Sequence, residues 1–204
     1  MQFNKKPGIV ILKMFAAAVT LFLFMYGAAP AAPAAAGSGA ARAASPAPQT
    51  ADSTCNAVLA ALDKNFTVPY HMYMTQTSAA LQNGKPMSTE MVYAGGKRYV
   101  LYDGKWIVSD VSDDDMKAMQ LKARQTAKNL SCHYVKDETV NGESAALFST
   151  HGESEHGKDD NQIWISKSKG LIIKQETDMD IGGGRPKTHM SVRYEYTNVQ
   201  APKM

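Results

Sequence analysis

The residues whose types and spacing best suit metal chemistry lie between positions 151 and 160. His151 and His156 bracket two glutamates, and Asp159 and Asp160 follow closely. Two imidazoles and several carboxylates could hold a borderline cation. The spacing matches no closed structural metal site, however, and the segment falls between two predicted strands. We therefore predict a solvated hairpin loop with no bound metal, and His151 and His156 remain the candidate ligands.

Other reactive side chains form no recognisable catalytic set. Asp113-Asp114-Asp115 is predicted to begin a helix, because it lacks the alternating ligands and closing Glu of a calcium loop. The sequence contains no Gly-x-Ser-x-Gly elbow, no His-Glu-x-x-His motif and no phosphate-binding glycine loop. These observations predict a protein that is not an enzyme and uses no cofactor, with catalysis by the 151–156 segment as a third hypothesis.

The start of the chain predicts export. Lys5 and Lys6 precede an apolar stretch and an Ala-rich run that ends at Ala36, in the order of a secretory signal peptide. The most apolar part, residues 14–29, is shorter than the ~20 residues that a membrane-spanning helix needs. We predict that residues 1–36 are a cleaved signal peptide and that the protein is periplasmic. An uncleaved anchor, which would tether it to the membrane, is the alternative.

The rest of the chain is predicted as a linker and one domain. Residues 37–51 are small, proline-containing and almost uncharged, which is typical of a flexible tether. Residues 52–204 have the length of a single domain. Removal of Lys5, Lys6 and Lys13 with the signal would leave 19 basic residues against 19 acidic ones. A neutral domain is not expected to bind nucleic acid.

Cys55 and Cys132 are the two cysteines of the chain. In an exported protein such a pair most often forms one disulfide, and the absence of a Cys-x-x-Cys motif argues against a redox-active pair. We therefore predict a structural disulfide.

The elements that position these residues are two helices and a series of strands. Cys55, Val58, Leu59, Leu62 and Phe66 form one helical apolar stripe. Ser112 precedes three aspartates at the start of a second helix, the charge order that the helix dipole favours. Nine segments have the alternation and turn signals of strands: Thr67–Thr77, Met87–Tyr93, Arg98–Tyr102, Trp106–Ser109, Cys132–Val140, Glu143–Thr150, Asn161–Lys167, Leu171–Asp180 and Lys187–Val199.

These elements predict an α+β fold. Short loops between successive strands make neighbours antiparallel. We expect a long, twisted antiparallel β-sheet curled into an open, unclosed barrel, with the helices against its concave face.

The last third of the chain resembles the LolA-like periplasmic lipoprotein-carrier and lipoprotein-sorting superfamily. The resemblance rests on the segments 161–166, 169–176 and 194–199: a Trp-containing strand, a Gly turn into a Leu-led strand with Lys and Glu, and a final Tyr-rich strand. It implies an unclosed barrel around a hydrophobic cavity with the helices as a lid. Members carry lipoproteins or lipids, and others sense envelope stress.

The methionines suggest where such a cavity would be. The chain has 12 methionines, and this flexible side chain suits surfaces that repack around apolar ligands; an ordinary core is the alternative. The candidate cavity residues are Met72, Met74, Met87, Met91, Tyr93, Met116, Met119, Met190, Val192 and Tyr194.

The predicted function is that of a monomeric, non-enzymatic carrier or sensor of an apolar ligand. The ligand would be a hydrophobic small molecule, a lipid, an acyl chain or a lipoprotein anchor. The alternative is an envelope protein-interaction module whose core is closed and holds no ligand.

Overall fold

The computed structural model describes residues 53–81, 84–154 and 157–204. The predicted signal peptide and linker, and the candidate ligand His156, lie outside these ranges. Within them the elements follow the order α1 (Ser53–Asn65), β1 (Tyr70–Ser78), β2 (Met87–Ala94), β3 (Lys97–Tyr102), β4 (Lys105–Val108), α2 (Asp113–Thr126), β5 (Lys128–Val140), β6 (Glu143–Ser154), β7 (Gly157–Ser166), β8 (Ile172–Asp180) and β9 (Thr188–Glu195).

The strands of the described ranges form one sheet in the order β4-β3-β2-β1-β9-β8-β7-β6-β5. Every neighbouring pair is antiparallel. The sheet therefore has two edges, β4 and β5, and is not closed into a barrel. The predicted open antiparallel sheet of nine strands with two helices is confirmed for the described residues.

Two of the hairpin turns have the backbone that their sequences predict. Asp103 and Gly104 both have positive φ, at 49° and 70°, and so do Asn141 and Gly142, at 52° and 82°. A two-residue turn with this backbone matches the twist of the strands that it joins, and Asp-Gly and Asn-Gly adopt it at low cost. These dipeptides thus fix the register of β3 with β4 and of β5 with β6.

The two helices cover one face of the sheet, which we call the helix face. Val58 and Ala61 of α1 pack against Phe148, Ile163 and Ile172. Further along the same face, β1, β2 and β9 contribute a second core that includes Met72, Met74, Met91, Met190 and Val192. The opposite, outer face carries a smaller cluster of Ala145, Leu147, Trp164 and Ile173 among charged side chains. Most apolar burial is therefore beneath the helices.

The segment 151–160 differs from the predicted solvated loop. Strand β6 continues to Ser154 and β7 begins at Gly157, so that Gly152 pairs with Asp159 and Thr150 with Asn161. All four of these paired residues are buried. The prediction was wrong because it judged strands by apolar alternation, whereas here polar side chains occupy the inward positions of a regular ladder.

The second helix begins as its sequence predicts. Ser112 accepts a hydrogen bond from the Asp115 backbone N–H, and the Asp115 carboxylate accepts one from the Ser112 backbone N–H. This reciprocal capping box satisfies two backbone donors of the first turn. Neither helix in the described ranges has the length and hydropathy needed to cross a membrane.

Candidate functional site: a cavity beneath the helices

A cavity lies between the two helices and the helix face of β6 to β9. Together with its mouth it contains about 960 Å³ of space, of which about 60 Å³ is wide enough for the centre of a water molecule. It is therefore a narrow cleft in this conformation. The lining residues are Val58, Leu59, Leu62, Asn65, Phe66, Tyr70, Gln120, Arg124, Ala127, Leu130, Cys132, Thr150, Gly152, Asn161, Ile163, Gln175 and Tyr194.

Helix α1 forms the fixed wall of this cavity. Its stripe of apolar residues faces the sheet, and the predicted Cys55–Cys132 disulfide joins its first turn to β5 across a Cα–Cα distance of 5.1 Å. At its other end the Asn65 side-chain oxygen accepts a hydrogen bond from the Ile172 backbone N–H at 3.0 Å. A covalent bond at one end and a buried hydrogen bond at the other hold α1 in place.

Helix α2 forms the opposite wall and is held mainly at its ends. Asp113 in its first turn accepts hydrogen bonds from Tyr93 at 2.8 Å and Arg98 at 2.5 Å. Arg124 near its C-terminus pairs with Asp63 of α1 at 2.6 Å. Between these two contacts, three residues of α2 are buried, namely Met116, Gln120 and Ala123. This helix therefore contributes fewer buried residues than α1, which contributes Cys55, Val58, Ala61 and Asn65, and no disulfide joins it to the sheet.

The floor of the cavity at β6 to β8 is polar. Asn161 donates to Thr150 at 3.2 Å and to the Asp159 carboxylate at 2.7 Å. Gln175 donates to Asn161 and to Thr177, each at 3.2 Å, and the Thr177 hydroxyl donates to Asn161 at 2.6 Å. All five side chains are buried. Because buried amides and hydroxyls need partners, this network holds the floor in one arrangement.

Asp159 is the charged member of this network. Burial raises its pKa to about 6, while the hydrogen bond from Asn161 and the charge of His151 act in the opposite direction. Its cross-strand neighbour Gly152 has no side chain, and a Cβ there would lie 3.2 Å from Asp159 Oδ1. The glycine thus lets the Asp159 carboxylate lie close against the backbone of β6, where a side chain would crowd it.

Of the ten residues predicted to line a cavity, eight lie on the helix face of β1, β2 and β9, and Met116 and Met119 belong to α2. Six are fully buried, namely Met72, Met74, Met91, Met116, Met190 and Val192, while Met87, Tyr93, Met119 and Tyr194 are partly buried. The structure brings seven of them together in the core of β1, β2 and β9. Tyr194 alone also lines the cavity described above, and a ligand-binding role for this set remains a prediction.

Sequence reasoning missed the polar floor and the glycine beside it. Thr150, Asn161 and Gln175 occupy inward positions of their strands, where the apolar pattern leads one to expect Val or Ile. These polar residues interrupt the apolar alternation of their strands. A polar residue at an inward position on each of several neighbouring strands is the signal that could have identified the floor. Gly152 shows no such signal, because its role depends on the side chain opposite.

His151 lies on the outer face, away from the cavity. Its Nδ1 is 2.7 Å from Asp160 Oδ1, and this hydrogen bond is the largest cause of a raised His151 pKa. No group of three or more His, Cys, Asp or Glu side chains in the described ranges could hold a metal ion. His156 lies outside those ranges.

Comparisons with known proteins give structural matches alone. No family model matches the chain, and no curated protein sequence does. The lipoprotein LppX of Mycobacterium tuberculosis matches at 12% identity and a TM-score of 0.44, over 72% of this chain and 97% of LppX. MucB in complex with MucA(peri) matches at 12% identity and 0.43, over 74% of this chain and 57% of that one.

A third match is a domain from Vibrio parahaemolyticus described as an outer membrane lipoprotein-sorting protein. It is 9% identical with a TM-score of 0.25, and the match covers 71% of this chain and 93% of the domain. All three TM-scores are below 0.5 and all three identities are at or below 12%, so the function is argued from the cavity and not from these matches.

Proposed function

We propose that this protein is a non-enzymatic carrier or sensor that binds the apolar chain of a lipid, or of a lipoprotein anchor, beneath its helices. The observation that carries the proposal is the cavity between α1, α2 and the sheet. Leu59, Leu62 and Phe66 line it from the side of α1, and Ile163 and Leu130 from the sheet. An exported protein with a disulfide between α1 and β5 would work in an oxidising compartment, which we propose is the periplasm.

The energy available from burial is sufficient for such binding. Each buried methylene contributes about 0.8 kcal/mol, so a twelve-carbon chain would contribute roughly 10 kcal/mol before the costs of ordering. A chain of this length does not fit the narrow cleft as it stands. Binding would therefore require one helix to move away from the sheet. We expect α2 to be the helix that costs less to displace, because a disulfide joins α1 to β5 and none joins α2 to a strand.

Native mass spectrometry tests this function directly. The full chain, purified from its own host without detergent, is expected to carry a mass that disappears after extraction with organic solvent and refolding. Extraction of the same preparation and analysis of the extract would identify the chain. Native and extracted samples with identical masses, together with failure to bind any added amphiphile, would contradict the proposal.

A second candidate function is binding of an envelope protein with no ligand in the core. The narrowness of the cleft favours it, and so does the edge strand β5, on which Tyr134 and Val135 are 54% and 49% exposed. An exposed edge with apolar side chains can pair with a strand of another protein. If this function applies, replacing Val135 by Lys should abolish partner capture while the fold, checked by circular dichroism, stays unchanged.

A further inference from the structure

The cavity carries unused hydrogen-bond donors where the last turns of the two helices meet. Asn65 is the last residue of α1, and Gln120 and Arg124 lie one turn apart on α2. All three line the cavity, and the ion pair of Arg124 with Asp63 holds the ends of the helices together. Asn65 Nδ2 and Arg124 Nε are buried and have no hydrogen-bond partner within the described ranges. A buried donor without a partner costs roughly 1–3 kcal/mol, so this end of the cavity favours a group that accepts hydrogen bonds.

The Arg124 guanidinium is only partly used by its ion pair. Its Nη1 and Nη2 donate to the two carboxylate oxygens of Asp63 at 3.3 and 2.6 Å. Nε is the nitrogen left without an acceptor. The carboxylate fixes the position of the guanidinium and balances its charge, so Nε is a positioned donor for a group that need not be an anion.

The Asn65 amide is also used on one side. Its oxygen accepts the hydrogen bond from the Ile172 backbone N–H, which fixes the orientation of the amide. The Tyr196 hydroxyl lies beside Asn65, but it donates its hydrogen to the Ile172 carbonyl and makes no hydrogen bond of normal geometry with Nδ2. The donor of Asn65 is therefore held in place and unused.

Gln120 adds an amide from the side of α2. It is 7% exposed, and its side chain makes no hydrogen bond to another described residue. Its buried neighbours on the helix, Met116 and Ala123, are apolar, and an apolar side chain of the same length would fit an ordinary core at this position. A buried amide without a partner beside two unused donors is what a site for a polar group requires.

We propose that Asn65, Gln120 and Arg124 bind the hydrogen-bond-accepting group at the head of an apolar chain, either the carbonyl oxygen of an ester or amide or a carboxylate. This inference rests on the proposed function, since the chain itself would lie against Leu59 and Leu62 in the same cavity. An ammonium head group has hydrogens to donate and none to accept, so Asn65 Nδ2 and Arg124 Nε would stay without partners.

Three amphiphiles with the same twelve-carbon chain test the inference: methyl dodecanoate, dodecanoate and dodecylamine. Each competes at pH 7, below its critical micelle concentration, with the fluorescent probe N-phenyl-1-naphthylamine for the full chain. Satisfying buried donors corresponds to at least a tenfold change in affinity. We expect methyl dodecanoate or dodecanoate, or both, to bind at least tenfold more tightly than dodecylamine. The comparison of the first two shows whether the site takes a neutral carbonyl or a carboxylate.

Variants of α2 test the donors themselves. Gln120→Met keeps the length of the side chain and removes its amide, and Arg124→Lys keeps a cation for Asp63 and removes Nε. Each should weaken the tighter acceptor ligand about fivefold and leave the affinity for the probe unchanged. The matched control is Gln125→Met, the same substitution at an exposed position of the same helix, which should change no affinity. Circular dichroism verifies that each variant is folded.

The failure of the inference and that of the proposed function are distinguishable. If the amphiphiles bind but dodecylamine binds as tightly as both acceptors, or if Gln120→Met and Gln125→Met behave alike, the donors hold no head group and the inference is wrong, while the carrier function stands. If neither the probe nor any amphiphile binds, both are wrong.

Discussion

Asp159 shows how a single buried carboxyl group couples the cavity to pH. It is 8% exposed, and burial raises its pKa from 3.8 in a model peptide to about 6. A carboxyl group that is harder to ionise in the folded state destabilises that state once the pH is high enough to ionise it in the unfolded chain. At neutral pH the ionised Asp159 therefore lowers the free energy of unfolding, whereas an asparagine of the same shape would not.

The resulting prediction concerns the Asp159→Asn variant. Below about pH 3 the carboxyl group is protonated in both states and has little effect. As the pH rises from about 3 to 6 the stability of the wild type should fall relative to the variant, by about 2–3 kcal/mol in total. Urea unfolding at pH 3 and pH 7 measures this difference. Asp110→Asn, an exposed carboxylate in the segment before α2, serves as the control. An unchanged gap between wild type and Asp159→Asn across this range would contradict the account.

At the scale of elements, the two helices differ in how they are attached. A disulfide, a side-chain hydrogen bond to Ile172 and a buried apolar stripe hold α1. Ion pairs at its ends and three buried residues hold α2. Elements with few buried contacts open at lower free energy than the core does. We therefore expect α1 to stay fixed during binding and α2 to move.

The disulfide gives a prediction for α1. Replacing Cys55 and Cys132 together by Ala removes a cross-link between residues 77 positions apart, for which the chain-entropy model gives roughly 4–5 kcal/mol before strain. The double variant should lose about 2–5 kcal/mol of unfolding free energy in urea. A reducing agent should lower the unfolding free energy of the wild type to that of the variant and leave the variant unchanged. Equal stability of the oxidised wild type and the variant would show that the disulfide does not stabilise the fold.

At the scale of the whole molecule, the sequence predicts the fold better than it predicts the site. The turn dipeptides Asp103-Gly104 and Asn141-Gly142 favour one backbone, and alternating apolar residues favour one face, so the antiparallel pairing of successive strands follows from local signals. The pairing of β1 with β9, which makes β4 and β5 the edges, does not follow from them. The disulfide follows from the compartment and from the count of cysteines. These features depend on short stretches of chain and are readable one stretch at a time.

The cavity is not readable in this way because its walls come from distant segments. Residues of α1 and α2 pack against those of β6 to β8. Whether space remains between them depends on how these side chains pack, which the sequence of any one segment does not determine. The predicted methionine set falls mainly in the neighbouring core of β1, β2 and β9. The polar floor was missed because Thr150, Asn161 and Gln175 break the apolar alternation that identifies inward positions.

The central claim is that apolar ligands bind between the two helices and the sheet, and filling that space tests it. Ala127 lines the cavity just after α2, whereas Ala118 is exposed on the surface of the same helix. Replacing Ala127 by Trp should occupy the cleft, and replacing Ala118 by Trp adds the same side chain elsewhere.

The measurement is the affinity of N-phenyl-1-naphthylamine for both variants and the wild type, with circular dichroism to verify that each is folded. The account predicts that Ala127→Trp weakens binding of the probe at least tenfold. The tryptophan would exclude ligand surface whose burial contributes roughly 2 kcal/mol to binding. Ala118→Trp should bind like the wild type. Equal affinity of the two variants would place the ligand elsewhere and contradict the central claim.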